Sequence, residues 1–356
     1  MSQEVHHYNK KETGSQKNLL IKTDPNEKVQ GASKYRWLLV LISVLVLLIL
    51  FLASWVNFAQ RPVTLGGGDF QYFEIKQGQS SRETAKLLKE KSLIRSEYAF
   101  LANAKLSGKP IQAGYYKISN SMSLSEILDK FQKGETDAYS ITVPEGFRVL
   151  QIAKLIEEKA DIDHNKFIES AIGKEGTLFP DTYVFPTNYD SSKIISKMKE
   201  DFDQRVAKLR PSQEQIIIAS IVEREAKKDE ERAKIAAVYK NRFDNNMMLQ
   251  ADPTVRYALD TQEFLNEKRV DFNFWQPISR QDIQNINSPF NTYKQKGLPP
   301  APICNAGLKS LEASVNPAKD FGDYFYFFHD KNQEVHFSKN LQEHQEAIKK
   351  YGLPGQ

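Results

Sequence analysis

Two acidic residues stand where chemistry could begin. Glu223 follows the apolar run IIIASIV (216–222), and Glu225 lies two positions further on. On a helix, Glu223 has Ala219 and Ser220 one turn back and Ala226 and Lys227 one turn ahead. Small residues at those positions leave room for a ligand to approach. A carboxyl beside apolar side chains loses hydration, which raises its pKa. An acid that stays protonated near neutrality can donate to a glycosidic oxygen. Glu225 sits about 200° further round the helix, so the two cannot face one cleft. Either glutamate could equally be a solvated helix charge, and the spacing alone does not separate the readings.

Other chemistries lack their signatures. The six histidines include no HExxH pair, and there is no cysteine cluster, EF-hand loop, Gly-rich phosphate loop or GxSxG elbow. No metal and no cofactor are expected. The single cysteine, Cys304, excludes an intrachain disulfide. Polar and aromatic residues gather in two later segments. MLQADPTVRYAL (248–259) offers Gln250, Asp252, Thr254 and Tyr257, and SPFNTYKQKGLPPAPI (288–303) offers Asn291, Thr292 and Tyr293. A sugar cleft needs aromatic faces with amide and carboxylate hydrogen-bonders. Ordinary turn capping would use the same residues. Upstream, EGTLFPDTYVFP (175–186) packs two prolines and three aromatics into twelve residues, as a cleft wall or an interdomain loop would.

These residues need elements to hold them. Ser212 and Gln215 form a capping box after Pro211, which predicts a helix from Gln213 to about Arg242, with a break near Lys227–Arg232. Upstream, Tyr72–Ile75 reads as a strand, Ser80–Lys91 and Glu97–Leu106 as helices, Tyr115–Ile118 as a strand, and Ser123–Phe131 as a helix capped by Ser123 and Glu126. FEIKQGQSSRETAKLLKEK aligns with ITVPEGFRVLQIAKLIEEK at an offset of 68, matching Gly78 to Gly146 and Ala85 to Ala153. Each copy reads strand, glycine turn, helix, an opening that resembles the LysM module, a small extracellular fold that often binds N-acetylglucosamine polymers.

The chain has 356 residues, 40% hydrophobic and 26% charged, with a net charge of +4. That balance does not argue for nucleic acid. Trp37 to Phe58 is 22 residues without a charge, flanked near its ends by Trp37 and Trp55. As a helix it would run about 33 Å, enough for a hydrocarbon core of ~30 Å. Lys17, Lys22, Lys28, Lys34 and Arg36 precede it, which puts the N-terminus in the cytoplasm and the rest outside the cell membrane. The leader, 1–36, reads as a disordered cytoplasmic tail. Residues 59–69, with Gly66, Gly67 and Gly68, read as a tether. The expected organisation is then a LysM-like β-α-α-β module (70–143), a second β-α unit with an interdomain segment (144–206), and a mixed α/β catalytic domain built around a long helix (207–356). The fold class is α+β.

The motifs ASIVEREA, AAVYKNRF, LQADPTV, FNTYKQKGLPPAPI and SVNPAK, in this order and preceded by EGTLFPDTY, resemble the endolytic murein transglycosylase (YceG-like) family over roughly residues 70–350. The resemblance implies a peptidoglycan lyase that cuts the β-1,4 bond between N-acetylmuramic acid and N-acetylglucosamine within a strand, leaving a 1,6-anhydro end. It places the catalytic glutamate at Glu223. The residue types of the two later segments make Gln250, Asp252, Thr254, Tyr257, Asn291, Thr292 and Tyr293 the expected substrate contacts, with Ser220, Glu225, Asn241 and Arg242 as expected supporting residues. The family commonly reads SIVEKET where this chain has Ala226 last, and GLPPGPI where it has Ala301. The Thr-to-Ala change lies after both acids and leaves the glutamate assignment standing, and Ala301 in place of glycine removes no functional group. The resemblance also implies penicillin-binding proteins and the elongation machinery as partners, and cuts that end nascent strands. Two other readings stand beside it: a non-catalytic wall-binding scaffold, and a muramidase that uses water and a second acid near Glu223.

Overall fold

The computed structural model describes residues 32–267 and 272–353. Most of the expected tail, with Lys17, Lys22 and Lys28, lies outside the described residues. The chain divides after Gln60 into two compact units. The first contains helix α1 (Ala32–Gln60), which extends past both ends of the expected 37–58 span. The flanking residues are compatible with a helix, and the next breaker is Pro62. Its stretch from Tyr35 to Gln60 is long and apolar enough to cross a membrane.

The second unit begins at Arg61. Its first part is β1 (Phe70–Ile75), α2 (Ser81–Glu90), α3 (Glu97–Ser107) and β2 (Gly114–Ser119), with β1 and β2 antiparallel. Ser80 and Glu83 close a capping box on α2, and Ser96 caps α3. Helix α4 (Leu124–Lys133) follows, capped by Ser123 and Glu126. It supplies Phe131, whose ring lies 4.7 Å from Tyr116, 5.9 Å from Phe73 and 6.4 Å from Phe100. Arg95 donates to the carbonyls of Pro62 and Val63, and the Thr64 N–H donates to Asn120, so the start of the unit is tied to this part.

The same order then recurs as β3 (Ala138–Thr142), α5 (Val149–Ala160), α6 (His164–Ser170) and β4 (Thr182–Pro186), again antiparallel. The sequence repeat is therefore a repeat of structure. Phe73 faces Tyr116 in one pair and Ile141 faces Tyr183 in the other. Gly78 and Gly146 both adopt a left-handed backbone, φ +79° and +77°, which turns the chain from strand to helix. Ala85 and Ala153 are both fully buried.

Helix α7 (Ser191–Arg205) leads into the C-terminal part, made of α8 (Gln213–Glu225), α9 (Asp229–Asp244), α10 (Asp252–Glu267), α11 (Arg280–Asn285), α12 (Leu308–Val315), the hairpin β5 (Tyr326–His329) and β6 (Val335–Ser338), and α13 (Leu341–Tyr351). Residues 216–222 of α8 are all buried, among α9, α12 and α10. The helix expected from Gln213 to about Arg242, with a break near Lys227–Arg232, is two helices, α8 and α9, separated at 226–228. Ala226 is extended (φ −67°, ψ 128°), and the Glu231 carboxylate accepts the N–H groups of Lys227 and Lys228 at 3.1 and 3.2 Å. Asp229, Glu230 and Glu231 then suit the positive N-terminal end of α9. A new helix start thus competes successfully with continuation.

The aromatic cluster around Phe131 makes a direct prediction. Phe131→Ala should cost about 3–5 kcal/mol in urea unfolding of the full chain, because the ring is fully buried and its cavity cannot collapse against rigid aromatic neighbours.

Candidate active site

The helix break sets the position of Glu223. It ends the buried run of α8, and its side chain is only 7% exposed. One oxygen, Oε2, accepts from Arg232 Nη1 of α9 at 3.2 Å and from the backbone N–H of Gly307 at 3.1 Å. The surroundings are therefore not the purely apolar ones expected from the sequence: a cation and an N–H meet the carboxyl. Arg232 also pairs with Asp229 at 3.1 Å and donates to Ser310, and Lys309 pairs with Asp229. A cavity of about 440 Å³ opens beside Arg232, Asp229 and Lys309.

Gly307 belongs to a strap, residues 299–307, pinned at several points. Ser220, fully buried, accepts the Ile303 N–H on its hydroxyl at 3.0 Å, and its carbonyl accepts from Cys304 at 3.3 Å. Asn305 pairs its backbone with Gly146 and Phe147, both at 2.9 Å. Its side chain accepts the Leu178 N–H at 2.9 Å and donates to Phe147 O and to Glu175 at 3.0 and 3.1 Å. The β3–α5 turn is thereby brought against Glu223. A Cβ on Gly146 would lie 2.9 Å from Arg224 Nη1 and 3.6 Å from Glu223 Cγ.

Glu225 points into a different neighbourhood. It accepts the Tyr239 hydroxyl at 2.9 Å, and burial pushes its pKa from 4.5 up to about 7. Asp252, at the start of α10, accepts the Tyr293 hydroxyl at 2.5 Å and adds negative potential at Glu225. Arg242 donates to Leu249 O at 2.8 Å and Gln250 Oε1 at 3.4 Å. Among the described residues, no hydrogen bond or ion pair joins Gln250, Asp252 or Tyr293 to Glu223. These three gather on the Glu225 side.

The remaining expected residues hold loops. Thr292 and Thr254 share a hydroxyl contact of 2.9 Å, and Thr292 accepts the Ala251 N–H at 3.0 Å. Asn291, fully buried, donates to Ile283 O and Ile286 O at 2.9 and 3.1 Å. Asn241 donates to Phe321 O and Tyr324 O at 2.7 and 2.9 Å. The Tyr257 ring lies 4.0 Å from the buried Arg148 guanidinium, and its hydroxyl reaches Glu175, whose pKa burial also pushes to about 7.

Residues 73–350 match the YceG-like family. This chain belongs to that family. Over 315 residues it is 35% identical to an endolytic murein transglycosylase of Bacillus subtilis, covering 78% of this chain and 83% of that one. A Streptococcus pneumoniae protein of the same name is 27% identical over 340 residues, which are 81% of this chain and 59% of the relative. The fold is similar to a crystal structure of a yceG-like protein from Listeria monocytogenes, with a TM-score of 0.50 and 30% identity, over 79% of this chain and all of the other. For this YceG-like chain, sequence reasoning passed over Glu145, Arg232, Asn305 and Gly307. Glu145, Asn305 and Gly307 come from 78 or more residues away, and Arg232, nine residues on, is brought back by the break between α8 and α9. The only sequence signal was the repeat, which aligns the PEG turn at Glu145 with the turn before Gly78.

The buried acids make a pH prediction. Their folded pKa values lie above the ordinary 4.5, so their stabilising neutral form persists below that value and is lost as pH rises toward about 7. Thermal unfolding midpoints should therefore fall between acidic and mildly alkaline pH. Glu225→Gln, which can still accept from Tyr239, should shrink that fall.

Proposed function

We propose that this chain is a membrane-anchored lytic transglycosylase that cuts within peptidoglycan strands and leaves 1,6-anhydro-N-acetylmuramic acid ends. The observation that carries the reading is the Glu223 carboxyl, fixed at a helix end in a chain of the YceG-like family whose relatives bear the transglycosylase name. Helix α1 is the anchor, with its N-terminus cytoplasmic and the second unit on the outer side. The β-α-α-β element order of 70–119 suits a LysM-like module and a second hold on glycan.

The reaction needs one carboxyl, no water and no cofactor. Glu223 protonates the glycosidic oxygen as the bond to C1 breaks and positive charge develops there. The same group, now ionised, takes the proton of the C6 hydroxyl as that oxygen closes onto C1. Arg232 and the Gly307 N–H suit the ionised form and hold the oxygen in place between the two transfers. The intramolecular attack gains from proximity. Gln250, Asp252, Thr254, Tyr257, Asn291, Thr292 and Tyr293 contact sugar directly or shape the loops that do. Synthases and the elongation machinery are the partners this activity suits, since each cut ends a growing strand.

A second reading moves the acid to Glu225, favoured by its neighbours Asp252, Tyr293 and Tyr239 and by the burial that pushes it to about 7. One experiment separates these readings. The full-length chain in detergent should release anhydro-ended fragments from peptidoglycan, read by mass spectrometry. Glu223→Gln should lower that rate by ~10²-fold or more, the usual worth of a general acid, while Glu225→Gln should leave most of it. The reverse pattern would move the acid to Glu225. Reducing ends would identify a muramidase, and intact glycan a scaffold.

A further inference from the structure

Trp275 holds a backbone conformation that a bulky side chain rarely takes, with φ +65°. Such strain persists only where neighbours enforce it, and it gathers at functional sites. Here the Trp275 backbone N–H donates to Asp260 Oδ2 at 2.9 Å, and Asp260 is fully buried. The indole N–H donates to Gln151 Oε1 of α5 at 3.0 Å. The ring is thereby fixed, and its centre lies 4.2 Å from the guanidinium carbon of Arg224.

Arg224 follows Glu223 on α8, and both side chains border Gly146. A Cβ on that glycine would meet Arg224 Cδ at 3.5 Å and Glu223 Cγ at 3.6 Å, with Arg224 Nη1 closer still. The other cations near Glu223 are engaged, Arg232 by Glu223 and Asp229, and Lys309 by Asp229. Glu145, the residue before Gly146, lies against the backbone of Gly307, where its carboxyl fills the space that a Cβ would need. Among the described residues, no hydrogen bond or ion pair reaches the half-buried Arg224 guanidinium, and its Nε is closed off without a partner. A guanidinium held by its face keeps its N–H edge for an acceptor, and that edge fits a carboxyl group.

We propose that Arg224, held by Trp275, binds the lactyl group of the muramic acid at the scissile bond and so selects muramyl strands. This deepens the proposed function and rests on the reading of Glu223 as the acid. Glu223 serves the oxygen on C1, and the lactyl group hangs from C3 of the same ring. Both sugars of the strand carry an N-acetyl group. Only the lactyl group ends in a carboxyl carbon, an amide carbonyl under a stem peptide and a carboxylate without one. A cation without a counter-ion beside Glu223 favours that group over a neutral acetamide.

The test measures binding to the full-length Glu223→Gln chain in detergent. One ligand is a hexasaccharide of alternating N-acetylglucosamine and N-acetylmuramic acid without stem peptides. The other is the chitin hexasaccharide, which has no lactyl group. The muramyl ligand should bind about tenfold more tightly, the worth of one charge-assisted contact. Adding Arg224→Gln should bring the ratio close to one, and Arg224→Lys, which keeps the charge without the fork, should leave an intermediate ratio. A partly folded variant weakens both ligands alike, so the ratio stays readable. Adding Lys240→Gln instead, at a cation of α9 paired with Asp244, should keep the full preference. No preference in the Glu223→Gln chain, a preference that survives Arg224→Gln, or an equal loss in Lys240→Gln overturns the assignment. If the Glu223→Gln chain still cuts the muramyl ligand, the earlier reading fails; if it is inert and Arg224→Gln changes nothing, only this one does.

Discussion

One buried amide holds the site together. Asn305 is 1% exposed and uses both its backbone groups and both ends of its side chain. An unpaired buried amide would cost a few kcal/mol, so its partners cannot drift. Those partners are Gly146, Phe147, Glu175 and Leu178, all from the second β-α-α-β repeat or the segment after it. Two residues further along the strap, the Gly307 N–H meets Glu223. The repeat and the helical part are thus joined at the point where the carboxyl sits.

The break between α8 and α9 works toward the same end. Had the helix continued through 226–228, Arg232 would stand nine residues along one axis from Glu223, about 13 Å away. The extended Ala226 folds α9 back instead, and the guanidinium comes within 3.2 Å of the carboxylate. The cost of breaking a helix is met locally, because Glu231 takes two of the N–H groups that the break exposes. Ser220 does the equivalent job for the strap, giving the Ile303 N–H a buried acceptor. Polar groups in this core therefore fix positions more than they add net stability.

The duplication explains how a turn came to carry a carboxyl to the site. Both copies need a left-handed glycine between strand and helix, at Gly78 and Gly146. In the first copy that turn lies on an open groove edged by Lys76, Gln77, Gln79 and Glu83. In the second it is pressed against Arg224, Glu223 and the strap. The same local shape serves two places because the surrounding tertiary contacts differ.

Much of this was legible in order along the chain. Apolar spacing and capping boxes gave α2, α4 and the start of α8, since those signals act within one or two turns. The charge-free run at 37–58 marked α1, while the glutamates after IIIASIV stood out only as candidates until the order of the motifs put the weight on Glu223. Tertiary structure alone decided what meets that glutamate. Arg232, Gly307 and Glu145 come from α9, the start of α12 and a turn some eighty residues upstream. It also tied Asp252 to Tyr293 and Gln250 to Arg242, with no hydrogen bond from any of them to Glu223 among the described residues. The reason is physical: caps and periodicity are local, whereas the partners of a buried charge are chosen by how distant elements must pack to satisfy every polar group they enclose.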